Sequence, residues 1–233
     1  MFGLMITMNY LANSLPLNGK TTGQLSAQYP NLFVPAGITF SIWAIIYLML
    51  LGFIAWQFRE ASRPIVSAIG WAFAISSFFN ALWIIAWHFE FPGLSLLVML
   101  VILAALVYIN LAIRDQNAVF AKVTFGVYLG WICVAIIANA TALLVSINWS
   151  GWGLSDQTWA FIMILAALAI TGVVLLKLQN PFIGFAVMWA FLGIVINRLG
   201  SHPALVAIGI IAMAIMLGIT IWGFLRIPGQ ISS

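Results

Sequence analysis

Charge is what this sequence has least of: 8 lysines and arginines stand against 4 aspartates and glutamates in 233 residues. A formal net charge of +4, thinly scattered, is too small for a nucleic-acid footprint, and no nucleic-acid partner is expected. Cysteine is nearly absent as well. The lone Cys133 excludes an intrachain disulfide or a thiol redox pair, and with only two histidines no metal cluster can be assembled. The four acids, Glu60, Glu90, Asp115 and Asp156, fall at the ends of apolar runs or between them, so the core holds no paired carboxylates for acid–base chemistry. No Ser-His-Asp arrangement stands out either. A retinal Schiff base would need a lysine deep in a late helix, whereas Lys122 and Lys177 lie at helix ends. The protein is therefore expected to be no enzyme and to require no cofactor.

What is present is apolar length. Hydrophobic residues make up 65 % of the chain, and the mean hydropathy is +1.18. Unbroken runs of about 20 residues, enough to cross a hydrocarbon core, occur at 34–58, 65–89, 91–113, 119–147, 158–176, 181–199 and 203–225. Residues 1–15 form a shorter apolar run, about three-quarters of a core in length. That run lacks the basic start and small-residue cleavage site of a signal peptide, so it reads as a first helix, either thinned and tilted or the remnant of a start further upstream. The fold class is thus an all-α polytopic membrane protein with eight helices.

Basic residues in short connections set orientation. Arg59, Arg63, Arg114, Lys122, Lys177 and Arg226 share one side, and only Lys20 and Arg198 fall on the other. Both termini are accordingly expected in the cytoplasm. Trp56, Trp149, Trp152, Trp159 and Trp222 lie near span ends, where indole prefers the interface.

Three other tryptophans lie deep in spans. Trp43 shares a helix face with Phe40 and Tyr47, Trp83 with Asn80 and Trp87, and Trp131 with Tyr128 and Ala135. Facing lipid, their N–H and O–H groups would go unpaired in hydrocarbon, so these faces turn inward and could line one aromatic pocket. Packing between helices is the commoner use of any one such stripe; the coincidence of three with buried amides argues for a ligand.

These residues resemble a known family. VPAGITFSIWAIIYLMLLGFIAW, with Pro35, Trp43 eight residues on and Tyr47 four further, is similar to the second helix of the TspO/MBR family, the tryptophan-rich sensory or translocator proteins. SSFFNALWIIAWHFEF resembles its third helix, with Asn80 and Trp83 in an Asn-x-x-Trp motif. FGVYLGWICVAIIANAT resembles its fifth, with Tyr128, Trp131 and Asn139 matching approximately and Val127 where the family has proline. The likeness covers about residues 1 to 144. It divides the chain into a five-helix TspO-like core (1–147), a connecting loop (148–157) and a three-helix C-terminal extension (158–233).

The resemblance implies an intramembrane receptor for flat lipophilic ligands, porphyrins or sterol-like molecules, with a sensory or regulatory role. Phe40, Trp43, Tyr47, Asn80, Trp83, Tyr128, Trp131 and Asn139 would line its site. Porphyrin or haem would bind without required iron ligation, since His88 and His202 sit at span ends. The first loop, 17–37, is polar and long enough to fold over the pocket mouth as a lid, where Lys20 either meets a ligand carboxylate or is simply solvated. The alternative function is a transporter of small lipophilic or neutral substrates. Against it, no span is broken by paired glycine and proline, and no midspan charge could couple an ion gradient. The remaining expected partners are the lipid bilayer, in a bacterial inner membrane, and a second copy of the chain in a homodimer. Small residues at Ala72/Ser76, Ser77/Ala81 and Ala214/Gly218 allow close contacts within or between bundles.

Overall fold

A computed structural model describes residues 1–15 and 17–226; the end of the 158–233 segment, 227–233, lies outside the described residues. The chain forms α1 (Phe2–Ser14), α2 (Thr22–Ala27), α3 (Ile42–Trp56), α4 (Arg63–Ile69) and α5 (Ala72–His88). It continues through α6 (Pro92–Ala112), α7 (Val119–Ser146), α8 (Asp156–Leu178), α9 (Ile183–Arg198) and α10 (Pro203–Leu225). No strand occurs among the described residues.

Not every expected span is an unbroken helix. Five are long and apolar enough to cross a bilayer: 37–56, where a 3-10 turn leads into α3, together with α6, α7, α8 and α10. A sixth is obtained only by joining α4 to α5, which meet at 62°. Gly70 makes that break: its φ of 54° lies in left-handed space, where glycine is tolerated and a continuing helix is not. The expectation of an unbroken span over 65–89 is corrected accordingly. Helix α9, with 16 residues, and α1, with 13, are shorter than a bilayer requires. The protein is nonetheless an integral membrane protein, with apolar side chains such as Leu48, Leu97 and Ile211 outermost.

Helix α7 is the axis of the bundle. It packs against α3, α6, α8 and α9, while α1 leans on α5 and α10 covers α8 and α9. Lipid tails are as apolar as leucine, so close backbone packing and buried hydrogen bonds must hold such a bundle together. Both are concentrated at α7. A Cβ on Gly130 would sit 3.1 Å from the Ile183 carbonyl carbon and 3.2 Å from Ala186 Cβ, so α9 approaches α7 only because that position is bare. Near the opposite end of α7 from the lid, Asn180 Nδ2 donates to Asn110 Oδ1 at 2.7 Å and to the Lys122 carbonyl at 2.9 Å, tying the α8–α9 turn to α6 and α7. Lys122, expected at a helix end, is itself buried, and its Nζ has no partner.

The small-residue pairs divide. Ala72, Ser76, Ser77 and Ala81 are buried inside the bundle, whereas Ala214 and Gly218 lie on its outer face.

The first loop is more ordered than its composition suggests. Thr21 caps α2 through a reciprocal box with Gln24, in which Gln24 N donates to Thr21 Oγ1 and Thr21 N donates to Gln24 Oε1. Lys20 is not a free cation, because its half-exposed ammonium meets Glu90 Oε1 at 2.7 Å. Half-exposed pairs of this kind contribute less than about 1 kcal/mol, so Lys20→Ala should lower stability only slightly. The loss should fade as salt is added to a thermal-unfolding assay.

Candidate ligand-binding site

Trp43 is the hub of the aromatic cluster. Its ring stacks on Tyr47 (centroids 5.4 Å apart, planes at 18°) and lies 5.6 Å from Trp83, 5.9 Å from Tyr128 and 6.1 Å from Trp131. Phe40 meets Trp131 edge-on at 6.1 Å, and Trp87 stacks against Trp83 at 6.4 Å. The three stripes on α3, α5 and α7 therefore converge, as their spacing predicts. They converge so closely that they largely fill the centre.

Two spaces flank this cluster. The inner one is a slot of about 40 Å³ bordered by Phe40, Trp43, Trp83, Trp131 and Asn139. Thr22, Phe33 and Pro35 of the first loop also border it, as do Ala190 and Ile194 of α9. The outer one is a groove of about 730 Å³ between α1 and α3, where Ile6, Asn9 and Tyr10 face Phe40, Trp43 and Tyr47. Small-molecule sites typically measure about 300–1,000 Å³, so the groove is of ligand size and the slot is not. Thr22, Phe40 and Trp43 border both spaces and form the partition between them.

Asn80 and Tyr128 border neither. They form a fully buried polar core behind Trp43: Asn9 Nδ2 donates to Asn80 Oδ1 at 2.8 Å, and Asn80 Nδ2 donates to the Tyr128 hydroxyl at 3.0 Å. Asn139 borders the slot, but its Oδ1 already accepts from Ser95 Oγ at 2.5 Å. The tryptophans are less satisfied. Trp83 and Trp131 bury their Nε1–H groups with no acceptor, and the Tyr47 hydroxyl, beside Asn80, makes no well-aligned bond. Buried donors without partners are rare in folded proteins.

Neither histidine approaches either space. His88 is buried, its Nδ1 paired with the Ile84 carbonyl at 2.9 Å rather than solvated, and His202 lies next to Ser201 at the α9–α10 turn. At the loop, burial and then the neighbouring Glu90 carboxylate push the Tyr29 phenol above its ordinary pKa, keeping it neutral where its ring packs on Trp87.

The contributions of α9 were not readable from motif spacing. Ala190 and Ile194 carry no chemistry of their own; their four-residue interval, with Ala186 one turn earlier, was the available sign of a wall-forming face.

An apolar helix bundle with stacked indoles and phenols, unpaired donors and a side groove defines a membrane protein of the ligand-binding or transport-related class. The chain belongs to the TSPO-like protein family, whose model matches residues 1–222 and so runs through α8 and α9 and most of α10 as well as the first seven helices. That family is in general not enzymatic. No curated protein and no solved structure gives a significant match.

Proposed function

We propose that this protein is a membrane receptor for flat lipophilic molecules, porphyrins or sterol-like compounds, which enter sideways from the bilayer into the groove between α1 and α3. The observation that carries the reading is the groove itself: about 730 Å³, walled by the stacked Trp43–Tyr47 pair and opening between two helices that do not pack tightly together. A wide π-face gains by lying on such a pair, and burial of its apolar surface supplies most of the binding free energy. Rotation of Phe40 and Trp43 would join groove to slot and bring a ligand oxygen within reach of the Trp83 and Trp131 N–H groups. The role is sensory or regulatory, exercised in a bacterial inner membrane with both termini cytoplasmic.

Titration with protoporphyrin IX, followed by quenching of tryptophan fluorescence, tests this. Saturable binding is expected, with affinity reduced about tenfold in Trp43→Leu combined with Tyr47→Leu, since stacked aromatic pairs contribute about 0.5–1.5 kcal/mol each. Binding that survives the double substitution unchanged would remove the groove from consideration.

One observation favours the transporter reading. The α4–α5 break at Gly70 is a discontinuous span of the kind transporters use near a substrate path. Counterflow in proteoliposomes distinguishes the two, because a receptor shows saturable binding without substrate-driven exchange.

A further inference from the structure

The first loop is held down on two sides of the aromatic slot. On the α5 side, Asn18 Nδ2 donates to the His88 carbonyl at 3.0 Å and Lys20 pairs with Glu90. The other side is gripped by α9. Ala36 N donates to the Gly193 carbonyl at 2.9 Å, Trp189 Nε1 to the Thr39 carbonyl at 2.8 Å, and Asn197 Nδ2 to the Val34 carbonyl at 2.9 Å. Arg198 adds three more contacts, from Nε to Leu32 O at 3.2 Å and from Nη2 to Asn31 O at 3.1 Å and Val34 O at 3.4 Å.

This use of an arginine is unusual in two respects. No carboxylate lies in salt-bridge range of the guanidinium among the described residues, and all its hydrogen-bond partners there are main-chain carbonyls of one short segment. Such contacts read no side chain; they fix the path of the backbone from 31 to 34. That segment carries Phe33 and leads into Pro35, and both border the slot. The approach is close enough that a Cβ on Gly193 would come within 2.8 Å of Thr39 Cγ2 and 2.9 Å of Pro35 Cβ. Helix α9 thus supplies a wall of the slot through Ala190 and Ile194, and its last turn supplies the clamp that keeps the cover in place. The clamp consists of hydrogen bonds that water can reach and replace, which makes it releasable in a way that a packed helix face is not.

We propose that Arg198 and Asn197 are positioning residues of the binding site: they latch the first loop over the slot, and their release opens the slot to the aqueous face. A ligand group that reaches from the groove past the Phe40–Trp43 partition into the slot is then shielded from the aqueous face for as long as the latch holds, and that added contact slows the ligand's release. The latch geometry stands by itself, and its effect on retention rests on the ligand-binding reading.

The test uses the full chain in lipid nanodiscs with Thr22→Cys as a reporter. Thr22 is buried on the inner face of the first loop, bordering the slot, and its hydroxyl has no partner, so the substitution removes little. Native Cys133, buried in α7, is the internal control for general loosening. A water-soluble maleimide with mass-spectrometric readout should modify the reporter at least about tenfold faster in Arg198→Ala, since a single net hydrogen bond already accounts for that factor and Arg198 makes three. A smaller increase is expected in Arg198→Lys, whose ammonium cannot fork across several carbonyls, and in Asn197→Ala; Cys133 should stay unreactive throughout. In the chain without the reporter, protoporphyrin IX should dissociate faster in the same order. Should Thr22→Cys not fold, Ala190→Cys, fully buried on the α9 wall of the slot, replaces it. An unchanged reporter rate in Arg198→Ala, or an equal rise at Cys133, overturns the latch. A reporter that responds in a protein that never binds protoporphyrin leaves the latch standing and removes the ligand reading.

Discussion

Gly130→Val is expected to cost about 3 kcal/mol or more, a large share of the roughly 5–15 kcal/mol that holds a native fold, because the obstruction it creates is backbone. The nearest atoms to an added Cβ belong to the Ile183 carbonyl and to Ala186, neither of which can swing aside as a long side chain could. Helix α9 would have to withdraw from α7, and the bonds that Gly193 and Trp189 make to the first loop would go with it. Gly218→Ala is the matched control. Its Cβ would meet nothing within 4 Å, and in that exposed helical position alanine should be neutral or stabilising by up to about 1 kcal/mol. Thermal unfolding in detergent, read by size-exclusion chromatography, checks both. A Gly130→Val protein as stable as the parent would mean that α7 and α9 are not in contact as described.

Asn80→Leu should be the most damaging substitution within the polar core, at about 2 kcal/mol. It removes the acceptor of Asn9 and the donor to Tyr128 together, leaving Asn9 Nδ2 only its bond to the Met5 carbonyl at 2.9 Å and the buried Tyr128 hydroxyl with no partner. Hydrogen bonds between membrane helices average about 0.6 kcal/mol, so most of the loss comes from the stranded groups. Tyr128→Phe removes only one end of one bond and should cost less. The double substitution should fall short of the sum, since the residues share a contact. Unfolding by sodium dodecyl sulfate, followed by tryptophan fluorescence, measures all three. Strict additivity would show that Asn80 and Tyr128 do not act as a unit.

The aromatic cluster was legible because its rule is local. Trp43, Trp83 and Trp131 each sit on a helix face with polar-tipped neighbours at helical spacing, and hydrocarbon rejects such tips, so the three faces had to turn inward. How tightly they would meet was not legible. Ring-to-ring distances depend on where α3, α5 and α7 lie relative to one another, and the outcome is a nearly filled centre with the larger space displaced to the α1–α3 side. Hydropathy likewise found the run at 65–89 but not its break, because Gly70 changes backbone direction without lowering apolarity.

By itself the sequence determined the class of protein: the scarcity of charge and the long apolar runs leave a helical bundle in a membrane as the way to satisfy the backbone, and the aromatic stripes mark its inner face. Tertiary structure alone decided that α9 walls the site and that Arg198 grips the cover, because those contacts join residues more than 150 positions apart and are made through main-chain carbonyls. A carbonyl is the same at every residue, so no pattern of side chains can announce which ones an arginine will hold.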